Sequence, residues 1–239
     1  AMRWLEGFAS IIKIRNLRES SKTMSTNQTL LEQLQITEFE IARRKELLNF
    51  DGNDVKMLTS CADLVRDHID EIVADFYETQ TSVEEMALLI GDADTLKRLH
   101  SAQRGYILSL FDGYYDMDYV NNRLRIGVVH KRIGVEPKLY LSSVKTLKDT
   151  IGGALKRLIQ DQAHYALVYD ALDKLMYFDT MLVFDTYIRG LLTEVESAKN
   201  KVVGYARELE VKVAEVLEGH YLSESRFLLE ASVRRHEEA

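Results

Sequence analysis

Six histidines, at positions 68, 100, 130, 164, 220 and 236, are the side chains of this 239-residue chain best suited to hold a transition metal. No two stand four residues apart, so none makes the paired site that a helix builds for zinc. The loops that announce nucleotide, phosphate or acyl chemistry are missing: there is no Gly-x-Gly-x-x-Gly, no Walker loop, no His-Glu-x-x-His and no Gly-x-Ser-x-Gly. One stretch does gather chemistry: Arg125-Ile126-Gly127-Val128-Val129-His130-Lys131-Arg132-Ile133-Gly134-Val135-Glu136-Pro137. His130 sits among mostly apolar residues, one helical turn before a glycine stop. Gly127, a turn earlier, leaves room for something large to approach the backbone. A neutral imidazole there can offer one ring nitrogen to a metal while a nearby acceptor holds the other. On these residues alone, a structural histidine with its ring hydrogen-bonded is the commoner outcome.

The elements that must position His130 are helical throughout. One proline and 12 glycines leave few breakers. Thr37 and Glu40 read as a capping box opening a helix that stops near Asp51-Gly52. Residues 54–80 repeat apolar side chains at threes and fours through Tyr77, which predicts one helix. A short helix ends at Gly91, and Asp94 or Thr95 caps the next, which Asp112-Gly113 breaks. Another spans about 116–134. Pro137 sits in the first turn of its successor. The segment 163–195 is apolar on more than one face, which predicts a core face and a second copy of the chain, the last two domain helices bundling across a two-fold axis. Residues 196–239 carry a sparse apolar stripe among charges, as a coiled-coil linker does. Residues 1–35 form an N-terminal helical extension. Within them, 1–24 hold five basic against two acidic residues with Trp4, Phe8 and Ile11 interspersed. That segment suits docking on a partner helix, or contact with a membrane surface.

Composition limits the partners. With a net charge of −7, the chain is poorly suited to a phosphate backbone, so nucleic acid is not expected. Cys61 is the lone cysteine, which excludes an intrachain disulfide and fits a reducing cytoplasm. No apolar run reaches the roughly 20 residues that span a bilayer.

Residues 126–140, ending Gly134-Val135-Glu136-Pro137-Lys138-Leu139-Tyr140, closely resemble the proximal signature of bacterial globin-coupled sensors. Phe39-Glu40-Ile41-Ala42-Arg43-Arg44-Lys45-Glu46-Leu47-Leu48 resembles their N-terminal helix, and Asp75-Phe76-Tyr77-Glu78 their distal tyrosine motif. The resemblance covers about residues 36–195. It implies an all-α, globin-like helical sandwich with an extra N-terminal helix, holding haem b (iron protoporphyrin IX). It makes His130 the proximal iron ligand and the metal-binding residue. It places Tyr77 on the distal wall as a donor to bound O2, with CO gaining less from the same bond. Leu99 and Ala102 fall where the family's distal helix faces the haem. Some relatives carry a polar donor near the position of Ala102; alanine cannot serve, so Tyr77 acts alone or with Gln103. Tyr140 matches a tyrosine beneath the haem. Phe76, Leu124, Ile133 and Val144 pack against haem or in the ordinary core. His100 can swing in as a second ligand, but it sits beside the apolar face and is expected at the surface.

The function implied is sensing of O2, with CO and NO as further ligands, by a homodimer that signals through 196–239 to an output domain or partner protein. No catalytic residue is expected. A haem-free interaction module, as in some stress-response scaffolds of this fold, is the alternative. A haem enzyme would need an electron donor, and no flavin or nicotinamide motif is present.

Overall fold

The computed structural model describes the backbone of residues 29–237 and side chains as far as residue 221; the amphipathic helix expected in 1–24 lies outside the described residues. Ten helices and no strand are found among the described residues, in keeping with the expected all-α class. They are α1 (Leu30–Gln33), α2 (Glu38–Leu47), α3 (Gly52–Thr59), α4 (Ala62–Asp67), α5 (Ile69–Thr81), α6 (Glu84–Ile90), α7 (Ala93–Ser109), α8 (Met117–Arg132), α9 (Pro137–Leu158) and α10 (Gln162–Glu237).

Local chemistry sets the boundaries, with three departures from expectation. Gly91, Gly113 and Gly134 have φ of 76°, 81° and 80°, a left-handed conformation that costs glycine nothing, and each follows a helix end. Pro137 opens α9 as its first residue. Thr37 caps α2 by accepting from the Glu40 N–H at 3.3 Å. The Glu40 carboxylate does not return the bond but takes Arg44 Nε at 3.1 Å, so the box is half formed. Asp92, not Asp94 or Thr95, caps α7, accepting from the Thr95 N–H at 2.7 Å. Residues 54–80 form three helices rather than one. The Ser60 hydroxyl donates to the Met57 carbonyl, and Cys61 and His68 adopt near-zero ψ, so the axis bends twice while the apolar period continues.

The core is built on α10. Val168, Leu172, Leu175, Phe178 and Leu182 are fully buried at helical spacing. They receive α3, α8 and α9, while α5 lies against α7 and α9 in the adjoining layer. Ion pairs tie α10 down along its length: Lys174 to Asp54 at 3.0 Å, Arg123 to Asp179 at 2.8 Å and Arg44 to Asp185 at 2.6 Å. From Ile188 to Tyr221 no residue is buried, yet the helix runs on without a break. Ile188, Val195, Val202, Leu209 and Val216, seven residues apart, are all exposed.

Helices α8 and α10 run in the same direction. Arg123 meets Asp179, Gly127 meets Val183 and Thr186, and Lys131 lies across Gly190 to reach Glu194 at 2.7 Å. This is a ridge of every fourth residue of α8 laid along α10. Gly127 therefore admits a helix, not the bulky ligand that the sequence invited. A Cβ there would collide with Thr186 Oγ1 and stand 3.0 Å from the Val183 carbonyl oxygen. Gly127→Ala should lower stability by about 1–2 kcal/mol, overpacking outweighing the better helix propensity of alanine. Thermal unfolding checks this, and an unchanged or raised midpoint would show that the two helices part without cost.

Candidate functional site

A cavity of about 240 Å³ opens between α5, α6, α7, α8 and α9. Phe76, Tyr77, Leu99, Ala102, Gln103, His130, Ile133, Tyr140 and Val144 all line it. Of the residues selected from the sequence only Leu124 does not, being fully buried in the core beneath α8. The selected residues thus converge from four helices, although Phe76 and Val144 lie 68 positions apart in the chain.

His130 is half-buried, with Nδ1 2.8 Å from the Ile126 carbonyl oxygen one turn back on its own helix. That acceptor fixes the tautomer: Nδ1 donates, and Nε2 keeps its lone pair with no partner among the described residues. Burial holds the ring below its ordinary pKa of 6.5, favouring the neutral, ligating form. The edge of Tyr140 meets the imidazole at 5.4 Å between ring centres, and Phe184 and Tyr187 of α10 back Tyr140. The Tyr187 hydroxyl donates to the Val135 carbonyl at 2.8 Å, pinning the turn after α8.

No group of three or more His, Cys, Asp or Glu able to hold a metal ion exists among the described residues. One imidazole binds a bare ion weakly. A metal held at His130 must bring its other ligands with it, and an iron porphyrin does. An apolar cavity, a bare Nε2 and a fixed tautomer fit that group.

Tyr77 is buried, and its hydroxyl is without a hydrogen bond among the described residues. Burial pushes its pKa up to about 12, so it remains a proton donor at neutral pH. His100 lies flat on the Tyr77 ring, with centres 4.5 Å apart and planes 14° from parallel. Its Nε2 is buried and unpartnered. The expectation of a surface histidine is corrected here: the Tyr77 ring is broad enough to cover the flank of α7's apolar stripe.

Two polar lining residues were not foreseen. Gln80 is only 6% exposed, and its Oε1 accepts from the Ser143 hydroxyl at 2.8 Å. Gln80 stands three residues after Tyr77, and Ser143 three after Tyr140, so helical spacing from residues already selected was the signal. Tyr106, four residues after Ala102, lines the same cavity and is reached by the same spacing.

The Protoglobin family model matches residues 37–193. The heme-based aerotactic transducer HemAT of Halobacterium salinarum is 27% identical over 201 residues, covering 77% of this chain and 41% of the transducer. A 32-residue stretch is 81% identical to part of a Pseudomonas fluorescens NAD kinase, covering 13% of this chain and 11% of the kinase, too little to bear on fold or activity. The chain spans less than half the length of these curated relatives. Among solved structures, the globin domain of a Geobacter sulfurreducens globin-coupled sensor superposes with a TM-score of 0.57 at 20% identity, over 61% of this chain and 96% of that one. The ferrous globin domain of E. coli DosC superposes with a TM-score of 0.53 at 14% identity, over 60% and 96% of the two chains. At these identities the likeness establishes the globin fold alone.

The depressed pKa of His130 has a consequence for the haem-free protein. The folded state favours the neutral ring, so the unfolded chain takes up the proton first as pH falls. This contribution is intact above 6.5 and is lost as pH drops below it. His130→Gln should therefore lose less stability than the parent between pH about 7.5 and about 5.5, read by chemical denaturation. Equal losses would mean that the buried ring does not titrate as described.

Proposed function

The chain belongs to the Protoglobin family, and on that footing we propose that it is a haem-based gas-sensor domain whose ligand is O2. The observation that carries the reading is the bare Nε2 of His130 facing an apolar cavity that Tyr77 also lines. When bound, haem b supplies an iron position open to a diatomic gas. His130 would hold that group through Nε2, with the Ile126 carbonyl keeping the ring in the required tautomer. Phe76, Leu99 and Val144 give the cavity an apolar wall, and Ile133 stands half-exposed at its edge. The free hydroxyl of Tyr77 donates to a polarised ligand. In a dry pocket that bond favours O2 over the less polar CO by about 1 kcal/mol or more. Gln103, and Gln80 held by Ser143, are the other amides lining the cavity.

Residues 36–195 form the sensing domain and 196–239 the relay, with an output domain or partner protein as receiver. The exposed seven-residue repeat on α10, β-branched at four of its five positions, supports a coiled coil with a second copy of this chain. Val202→Glu should move the protein from dimer toward monomer in sedimentation equilibrium. A parent protein that is monomeric at every concentration would sink the dimer.

The haem reading is tested by absorption spectroscopy. Protein supplied with haem should show a Soret band in the reduced state that moves on adding O2 or CO, and His130→Ala should abolish the parent spectrum. Tyr77→Phe should release O2 about fivefold or more faster, with CO release little changed. Failure to take up haem would favour the haem-free interaction module.

A further inference from the structure

A side-chain amide packed into a helical core ordinarily has both its ends satisfied, because unmet buried polar groups are costly. Gln80 of α5 is 6% exposed and has one end satisfied. Its Oε1 accepts from the Ser143 hydroxyl of α9 at 2.8 Å. The other atom within reach of that hydroxyl is the Met86 sulfur at 4.0 Å, a weak acceptor, so the serine proton belongs to Gln80. The Gln80 Nε2 has no partner among the described residues, yet it is not sealed in protein. Gln80 lines the cavity, one turn after Tyr77 on the same helix.

The rest of the cavity wall offers little else that donates. Among the described residues, no Lys, Arg, Asp or Glu lines it. The Tyr106 hydroxyl is engaged by Asp179 at 2.8 Å, and that of Ser143 by Gln80. Tyr140 stands against the His130 ring. Gln103 of α7 is half-buried, and neither end of its amide has a partner among the described residues. A loose side chain must surrender rotamer freedom when it binds a ligand, whereas an anchored one has surrendered it on folding. Gln80 is therefore the amide already set beside Tyr77.

We propose that the Gln80 amide, held at Oε1 by Ser143, is a second hydrogen-bond donor to the polar diatomic ligand of this cavity, acting beside Tyr77. The inference rests on the gas-sensor reading above and deepens it, since the ligand then meets two donors from one helix. Ser143 is a positioning residue: it turns the amide so that the N–H groups face the cavity. Both donors favour a ligand carrying partial negative charge, and CO gains less from each.

The test uses the full-length protein, haem-loaded and reduced, with two readouts. One is the rate of O2 release. The other is the infrared C–O stretch of added CO, which falls when a donor faces the ligand and which a merely structural role would not move. Gln80→Leu should release O2 about fivefold faster and raise the C–O stretch. Ser143→Ala should move both readouts in the same direction, and Ser143→Thr, which keeps the hydroxyl, should restore them. If Gln80→Leu takes up no haem, the two Ser143 variants decide. Parent values in either Gln80→Leu or Ser143→Ala, with the Soret band intact, overturn the second donor and leave the gas-sensor reading standing. A larger change in Gln103→Leu than in Gln80→Leu also overturns it. A parent protein that takes up no haem, or whose reduced spectrum ignores O2, overturns both.

Discussion

A charge sealed inside a protein must be neutralised where it lies, and that requirement fixes how α8 sits on α10. Removing one partner of a buried ion pair typically costs about 3–5 kcal/mol, far more than the pair contributes over an apolar substitute. Arg123 and Asp179 therefore act less as glue than as a register mark. With Arg123 placed, Gly127 must fall against Val183 and Thr186, and Lys131 must cross Gly190. The face of α8 presenting Ile126, His130 and Ile133 is then turned to the cavity. The orientation of the imidazole is thus settled partly by a contact two turns away that never touches the cavity.

The cavity itself goes against close packing, since apolar helices ordinarily interlock until no such volume remains. Its few polar groups are placed selectively. His130 is anchored at Nδ1 and bare at Nε2, and the Tyr77 hydroxyl is free beneath a stacked His100. Gln80 is steadied by Ser143. Each has one end held by the protein or covered by it, which keeps the other end available without leaving it loose.

Much of this was legible in the chain. Gly91, Gly113, Gly134 and Pro137 impose backbone conformations that any reader of the sequence can locate. The resemblance to globin-coupled sensors brought nine cavity residues into view, five of them within the proximal and distal motifs. What was hidden depends on partners far away in sequence. The bends at Cys61 and His68 interrupt the helix but not the apolar period, so periodicity passes over them. Gly127 looked like room for a ligand because the identity of its neighbour, Thr186, is a tertiary fact. His100 stands off the apolar stripe, yet its ring stacks on Tyr77 and its Nε2 is buried, a contact between helices that spacing along α7 does not show. Gln80 and Ser143 are polar residues whose pairing is visible only once α5 and α9 are packed together.

The unbroken length of α10 carries a mechanical consequence. Its 76 residues make a rod of about 110 Å, of which about 90 Å lies beyond Asp179. Pivoting such a rod by one degree at that carboxylate swings its far tip by about 1.5 Å, the width of a bond. A rotation too small to notice near Asp179 would thereby be magnified along the helix by leverage alone.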